Sequence, residues 1–258
     1  IEKLNLSGFD AEVLFTTQHD KHLEDKYLPN APYKFLNRDY GDNHGIWNDL
    51  EQYLTENAPC VFVPSYDYVA SAISPKLPND VGILGVLHSD DMEHYEHTYR
   101  LGNYWNKVIS VSKTIQRKML EINPNFEEKA EVIYYGIEDK QGMPLPQKND
   151  VFTLVYTGRI SVFQKNILDY KKVVELLKEK ATQPFVFKFI GDGVDMPEFE
   201  KEMEPFVDEG IVELLGRIPR KDIDKELTDA HVFSLISDFE GLSVSMLEAL
   251  SYYCVPIL

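Results

Sequence analysis

The sequence predicts an α/β protein made of two Rossmann-like domains with parallel sheets. Short apolar runs alternate with segments of helical periodicity, a pattern typical of parallel strands that helices cover on both faces. A stretch over 138–150, which contains two prolines and one glycine and has no periodicity, interrupts this pattern. We therefore expect a first domain over 1–137, a linker over 138–150 and a second domain over 151–258.

The first half contains five apolar runs that we predict to be strands. They are Val13–Thr16, Cys60–Val63, Gly82–Leu87, Val108–Val111 and Val132–Tyr135. Between them, Trp47, Leu50 and Leu54 share one face of a predicted helix. A second helix is predicted over Ser112–Leu120, where Ser112 can cap the first turn.

The second half repeats the alternation with clearer boundaries. Its predicted strands are Val151–Tyr156, Phe185–Ile190, Ile211–Leu215 and Val232–Ile236. Its predicted helices are Asn166–Lys180, Met196–Val207, Pro219–Thr228 and Ser243–Tyr252. Because ligands of such sheets bind at the carboxyl ends of the strands, we looked for reactive residues directly after each strand.

Composition excludes several functional classes. Among 258 residues, 26 Lys and Arg stand against 43 Asp and Glu, giving a formal charge of −17. Nucleic-acid binding requires a basic surface, so we expect no nucleic-acid partner. The only cysteines, Cys60 and Cys254, cannot form a disulfide scaffold, which favours a reducing, cytoplasmic setting.

The segment Ser237–Leu250 is the most informative one. Seven residues separate Glu240 from Glu248, and Glu240 lies between a buried strand and a helix. Gly241 lets the backbone approach a ligand, and a helix starting near Ser243 directs free N–H groups at the same place. A carboxylate at Glu248 could bind a diol such as a ribose. Alternatively, this segment is an ordinary amphipathic helix with solvated glutamates.

A second candidate segment is Thr157–Asn166, directly after the first strand of the second half. Gly158 permits a tight turn, and Arg159 and Lys165 could neutralise a diphosphate. The glycine-rich turn Phe189–Asp195 follows the next strand. Each of these features is also common in solvated loops, so neither identifies a ligand alone.

Together these segments resemble the retaining GT-B glycosyltransferases of family 4, the group 1 transferases. That family has a G-R-x4-K phosphate loop, a G-x-G turn and an E-x7-E signature in this order. The corresponding residues are Gly158-Arg159 with Lys165, Gly191-Asp192-Gly193, and Glu240-Gly241-Leu242-Ser243 with Glu248-Ala249. The resemblance is strong over 151–258 and weaker over 1–150, and it implies a GT-B fold whose two domains face a central cleft.

The resemblance implies a role for each matched residue. Arg159 and Lys165, on the loop that begins at Gly158, would bind the diphosphate of a nucleotide-sugar. Glu240 and the backbone of Gly241, Leu242 and Ser243 would bind the donor hexose. Glu248 would bind the ribose, the Ile218 region would contact the base, and His88 would face the sugar from the other domain. Glu240 and His88 are therefore the expected catalytic residues, and no metal or cofactor is expected.

The sequence departs from the family pattern at two places near the donor. Five residues separate Arg159 from Lys165, where the family has four. Tyr252-Tyr253 stands where the family often has a small residue followed by glycine. The resemblance further implies that both domains are incomplete, with the first strand of the first domain missing and the second domain continuing beyond 258.

The predicted function is transfer of a hexose from a nucleotide-diphosphate sugar to a glycan or lipid-linked acceptor, as in polysaccharide biosynthesis. We expect a cytoplasmic enzyme, and peripheral contact with the inner face of the membrane stays open. Two alternatives remain. One is a non-catalytic accessory protein that binds a nucleotide-sugar or a glycan. The other is a metal-dependent hydrolase built on the polar cluster over 88–97, where His94 and His97 are i, i+3 neighbours.

Overall fold

The computed structural model has two compact units, Ile1–Tyr134 and Tyr135–Leu258. It describes residues 1–17, 32–39, 41–65, 67–138 and 147–258. Both units contain helices and parallel strands, which confirms the predicted fold class. Most of the expected linker, 139–146, lies outside the described residues. In the described part of the chain, no helix is long and apolar enough to cross a membrane.

The first unit contains two parallel sheets. Its described strands are β1 (Val13–Thr17), β2 (Tyr33–Arg38), β3 (Cys60–Ser65), β4 (Val81–Leu87), β5 (Lys107–Ser110) and β6 (Ala130–Val132). Strand β1 pairs with β2, and the other four form a sheet in the order β3-β4-β5-β6. Its described helices are α1 (Glu2–Leu6), α2 (Asn43–Glu56), α3 (Tyr68–Ser71), α4 (Met92–Leu101) and α5 (Lys113–Ile122).

Side-chain caps fix where four of the described helices of the first unit begin, α2 to α5. Asp42, Asp67 and Asp91 accept hydrogen bonds from backbone N–H groups in the first turns of α2, α3 and α4. Ser112 does the same for α5, as predicted. These bonds satisfy N–H groups that the helix itself leaves without partners.

The second unit has one parallel sheet with the strand order β11-β10-β7-β8-β9. The strands are β7 (Phe152–Thr157), β8 (Phe185–Ile190), β9 (Val212–Gly216), β10 (Val232–Ser234) and β11 (Val255–Ile257). The helices are α6 (Val162–Lys165), α7 (Tyr170–Lys180), α8 (Met196–Asp208), α9 (Arg220–Asp229) and α10 (Val244–Ser251). After β9 the chain returns to the other side of β7, so the order of strands reverses between β7 and β10.

An aromatic core holds the second unit together. All residues from Thr153 to Thr157 in β7 are buried, so both faces of this central strand are covered. Tyr170 of α7 packs edge-on against Phe187 and Phe189 of β8, with ring centroids 5.4 Å and 5.1 Å apart. Edge-to-face packing of this kind adds to the stabilisation that burial provides.

Several predicted elements differ from the observed ones. The predicted helix Asn166–Lys180 begins at Tyr170, because Asn166 has a left-handed backbone with φ of 48°. The predicted strand Val132–Tyr135 overlaps the observed β6 only at Val132, although the Ile133 N–H still donates a 3.1 Å hydrogen bond to the Ser110 carbonyl of β5. Strand β2 was not predicted.

Candidate functional site

The candidate site lies at the point where the strand order of the second unit reverses. The loop after β7 and the loop after β10 leave neighbouring strands at the same edge of the sheet. Parallel α/β sheets bind ligands in the crevice at such a switch point. Two of the segments selected from the sequence, Thr157–Asn166 and Ser237–Leu250, are these two loops with the helices that follow them.

The structure brings Lys165 and Glu240 into contact across this crevice. The Lys165 ammonium group donates a hydrogen bond to Oε1 of Glu240, and both side chains are largely shielded from solvent, with 14% and 28% exposed. The extra residue in the loop therefore does not displace Lys165 from the site. The resemblance predicts that Lys165 binds the diphosphate and that Glu240 binds hydroxyl groups of the sugar. The structure places this cation and this carboxylate next to each other.

Further hydrogen bonds attach the two loops to each other. Asn166 donates from its side-chain amide to the Ile236 carbonyl at 3.0 Å and to the Asp238 carboxylate at 2.7 Å. Gln164 donates to the Phe239 carbonyl at 2.9 Å and accepts from the Asp238 N–H at 3.0 Å. Asn166 was predicted to be helical but has a left-handed backbone. Its side-chain amide links the loop after β7 to the loop after β10.

The loop after β7 also rests on the glycine-rich turn after β8. The N–H of Gly158 donates to the Ile190 carbonyl, and the N–H of Ile160 donates to the Asp192 carbonyl, both at 3.0 Å. Gly191 has φ of +145°, and a Cβ there would lie 1.8 Å from the Gly158 carbonyl oxygen. The turn is therefore glycine because two backbones approach each other closely.

Arg159 is the most accessible of the predicted donor-binding residues. Its side chain is exposed, while its carbonyl accepts a 2.6 Å hydrogen bond from the Tyr156 hydroxyl. Burial raises the pKa of Tyr156 well above its ordinary value, so the hydroxyl keeps its proton and remains a donor. The backbone of the loop is thereby fixed, while the guanidinium remains free to meet a ligand.

Helix α10 starts at the same crevice. The Ser243 hydroxyl accepts a 3.2 Å hydrogen bond from the Met246 N–H, which confirms the predicted helix start. Gly241 and Leu242 are half-buried and connect Glu240 to this cap. The positive end of the helix dipole therefore lies beside Glu240, where it favours negative charge.

Glu248 has a partner that the sequence did not indicate. Its Oε1 lies 2.6 Å from Nη1 of Arg220, which begins α9. Burial alone would lower the pKa of Arg220, but the hydrogen bond to Glu248 and the negative charges of Glu248 and Asp224 together raise it. No sequence signal could reveal this pair, because 27 intervening residues separate the two side chains. Ile218, predicted to lie near the base, packs partly buried against the core of the unit.

His88 belongs to the first unit and lies directly after β4. Its Nε2 lies 3.0 Å from the hydroxyl of Ser65, which ends β3 with a left-handed φ of 50°. Burial lowers the pKa of His88 below its ordinary value, and the nearby His94 lowers it further. The neutral ring is thus favoured. Its predicted role toward a donor sugar stays a prediction.

The other residues of the polar cluster over 88–97 have separate partners. His94 contacts Asp91 at 2.9 Å, and His97 contacts the Ser71 hydroxyl at 2.7 Å. Among the described residues, no group of three His, Cys, Asp or Glu side chains is arranged to hold a metal ion. The hydrolase alternative therefore gains no geometric support.

Comparison with known proteins shows what the second unit is similar to. Residues 151–258 match the family described as glycosyl transferases group 1. The matched residues include both loops of the crevice, the one after β7 and the one after β10, together with α10.

The chain is also similar to curated and solved glycosyltransferases. It is 26% identical over 218 residues to the lipopolysaccharide 1,6-galactosyltransferase of Escherichia coli strain K12. That match covers 81% of this chain and 57% of the relative, so the chain spans less than two thirds of its length.

Solved structures resemble the chain over most of its length. The lipopolysaccharide outer core galactosyltransferase WaaB in its apo form has a TM-score of 0.67 at 19% identity, covering 95% of this chain and 70% of that one. Anabaena HepE in complex with UDP and glucose has a TM-score of 0.68 at 16% identity, covering 92% and 69%. A glycosyltransferase from Rickettsia africae has a TM-score of 0.71 at 14% identity, covering 99% and 72%. These likenesses show a GT-B fold.

Proposed function

We propose that this chain is the donor-binding and acceptor-binding part of a group 1 glycosyltransferase that moves a hexose from a nucleotide-diphosphate sugar to a glycan or lipid-linked acceptor. The contact between Lys165 and Glu240 at the switch point carries this proposal. It joins a cation suited to a diphosphate and a carboxylate suited to sugar hydroxyls, beside the positive end of α10. UDP-linked galactose or glucose is the first donor to test, because the related proteins include a galactosyltransferase and a complex with UDP and glucose.

The chemistry follows from where charge develops. As the bond to the anomeric carbon breaks, negative charge grows on the departing diphosphate, and Lys165 and Arg159 stabilise it. The diphosphate competes with Glu240 for Lys165, which frees the carboxylate to hold the hexose hydroxyls. Glu248, positioned by Arg220, holds the ribose diol. We further propose retention of the anomeric configuration, no need for a metal, and action at the cytoplasmic side of the membrane.

The accessory-protein alternative has less support. The lengthened loop still places Lys165 against Glu240, and Tyr253 turns its side chain outward, with 54% of it exposed. Tyr253 takes up a left-handed φ of 61°, the conformation that glycine usually supplies after a helix. The lengthened loop and Tyr252-Tyr253 are the two sequence departures that favour an inactive relative, and the contact between Lys165 and Glu240 forms in the presence of both.

The test combines donor binding with transfer. UDP-galactose, UDP-glucose, UDP-N-acetylglucosamine and GDP-mannose are screened by thermal shift; a donor at 100 times its Kd adds about 2.7 kcal/mol of stability. Lys165→Ala should weaken UDP binding at least about tenfold, because a charge-assisted hydrogen bond contributes roughly 1.5–3 kcal/mol. Glu240→Ala should retain UDP binding and lose transfer.

Lys178→Ala is the matched control, since this exposed lysine of α7 pairs with Glu209 and lies outside the crevice. The same reactions, run with a chelator and followed by NMR of the product anomer, check metal independence and retention. Absence of any shift with all four donors would contradict the proposed function. So would unchanged UDP affinity in Lys165→Ala.

A further inference from the structure

An aromatic pair stands beside the donor crevice without a role in the proposed donor chemistry. Phe163 of α6 exposes 79% of its surface. It packs edge-to-face with Phe239 of the neighbouring loop, with ring centroids 5.8 Å apart and planes inclined by 76°. The pair therefore forms a small aromatic surface that is open to solvent.

This surface is fixed next to the expected position of the donor hexose. Phe239 directly precedes Glu240, and Phe163 lies two residues before Lys165. The 2.9 Å hydrogen bond from Gln164 to the Phe239 carbonyl ties the two segments together. A single exposed apolar residue needs no explanation, but a ring held in place at the edge of a ligand crevice does.

We propose that Phe163, supported by Phe239, binds the acceptor by stacking on the apolar C–H face of a pyranose ring. The inference rests on the proposed function and names the acceptor chemistry: a sugar with one face free of axial hydroxyls, as in glucose-configured and galactose-configured residues. An aromatic ring presents a negative face to the slightly positive C–H bonds of such a sugar.

The donor is a poorer occupant for this ring. Its diphosphate and hydroxyl groups need charged or hydrogen-bonding partners, and Lys165, Glu240 and Glu248 supply them. The acceptor must approach beside the hexose, and Phe239 is the direct neighbour of the carboxylate that holds this hexose. An apolar ring at that place orients the acceptor without competing for donor hydroxyls.

The test measures binding of simple sugars by the complete chain. Methyl β-D-glucopyranoside and methyl β-D-galactopyranoside are titrated in the presence of UDP and followed by saturation-transfer NMR. We expect Phe163→Ala to weaken binding of at least one of them about tenfold, the change that roughly 1.4 kcal/mol produces. Phe163→Trp should retain binding, and saturation should be strongest on the protons of one ring face.

Leu176→Ala provides the control, because Leu176 is an exposed apolar residue of α7, 43% exposed and remote from Lys165 in sequence. UDP affinity should be the same in the wild type, Phe163→Ala and Leu176→Ala. Equal glycoside binding by the wild type and Phe163→Ala, or none by the wild type, would overturn the inference while UDP binding keeps the proposed function intact.

Two other outcomes would also reject the acceptor role. Loss of UDP affinity in Phe163→Ala would mean that the Phe163 ring contacts the donor instead of the acceptor. Binding to phosphatidylglycerol vesicles that depends on Phe163, with unchanged glycoside binding, would assign it to the membrane. Conversely, glycoside binding through Phe163 in a protein that binds no nucleotide-sugar would support the stacking site and refute the proposed function.

Discussion

At the scale of single residues, glycines set how closely the loops of the donor crevice approach each other. A Cβ on Gly191 would lie 1.8 Å from the Gly158 oxygen, and one on Gly193 would lie 2.1 Å from the Ile160 oxygen. Both contacts are with backbone, which cannot move aside as a flexible side chain can. The phosphate loop and the turn after β8 are thus in contact only because neither glycine has a side chain.

Gly191→Ala should therefore destabilise the second unit by about 3 kcal/mol or more, through backbone strain and overpacking together. Gly210→Ala is the control, since Gly210 also has a positive φ of +74° but no atom lies within 4 Å of its added Cβ. We expect it to cost only about 1 kcal/mol. Urea unfolding followed by circular dichroism measures both, and equal losses would contradict the close approach.

The sequence predicted these residues only in part. The Gly-Asp-Gly turn was visible as a pattern, but a short glycine pattern is compatible with any tight turn. Glycine is required at position 191 because an added Cβ would meet the carbonyl oxygen of Gly158, 33 positions earlier in the chain. That neighbour exists only once β7 and β8 pair side by side.

At the scale of elements, the start of α9 and the middle of α10 are joined through Arg220 and Glu248. The Arg220 side chain is 54% exposed and that of Glu248 is 21% exposed, so the pair is shielded only in part. Such a pair contributes at most about 1 kcal/mol. Under the proposed function, the pair matters for binding because it holds the Glu248 carboxylate in one orientation.

Arg220→Ala should raise the Kd for UDP about fivefold, the loss that roughly 1 kcal/mol produces. It should also reduce the preference for UDP over 2′-deoxy-UDP, because Glu248 would no longer be fixed against the ribose diol. Calorimetric titration of both ligands measures the two effects. Lys221→Ala, a change at the next residue of α9, should alter neither. Tighter UDP binding in Arg220→Ala would instead mean that the pair blocks the ribose site.

Element boundaries followed the sequence where apolar runs were bounded by clear turns. Strand β8 occupies the predicted residues, and Ser112 and Ser243 cap the predicted helices. The prediction failed at Asn166, where hydrogen bonds to the next loop outweigh the helical pattern. The buried face of α2 also differs from the prediction. Ile46 is buried with Leu50 and Leu54, whereas Trp47 was expected to be the third residue of this face.

At the scale of the whole molecule, the two units can be observed separately. Both tryptophans, Trp47 and Trp105, lie in the first unit, so their fluorescence reports on that unit. The same unit contains His88 and His97, whose pKa values burial lowers below the ordinary value. Folding of this unit is therefore linked to pH.

The free energy of unfolding of the first unit should fall as the pH drops from 7.5 to 5.5. The unfolded histidines take up protons near pH 6.5, whereas the folded ones resist protonation, so acid favours the unfolded state. Asp91 does not contribute in this range: burial raises its pKa, but hydrogen bonds from His94 and Ser89 and the charge of His94 together lower it below the usual acidic value. Urea unfolding followed by tryptophan fluorescence measures the change.

The His97→Gln variant should show a smaller loss over the same range, because glutamine can keep a hydrogen bond to Ser71 without titrating. His231→Gln is the control, since His231 belongs to the second unit and the tryptophan fluorescence reports on the first. Stability that does not change between pH 7.5 and 5.5 in the wild type would contradict the linkage.

The sequence by itself determined the fold class, most strands of the second unit and the two loops that carry the candidate site. Apolar periodicity and helix capping depend on residues that are close together in the sequence, so both can be recognised without the tertiary structure. The tertiary structure alone decided which charges meet: Lys165 with Glu240, and Arg220 with Glu248. It also decided that Phe163 stands open beside the crevice. These contacts join residues that are distant in sequence, and only the order in which the strands pair brings them within a few ångströms.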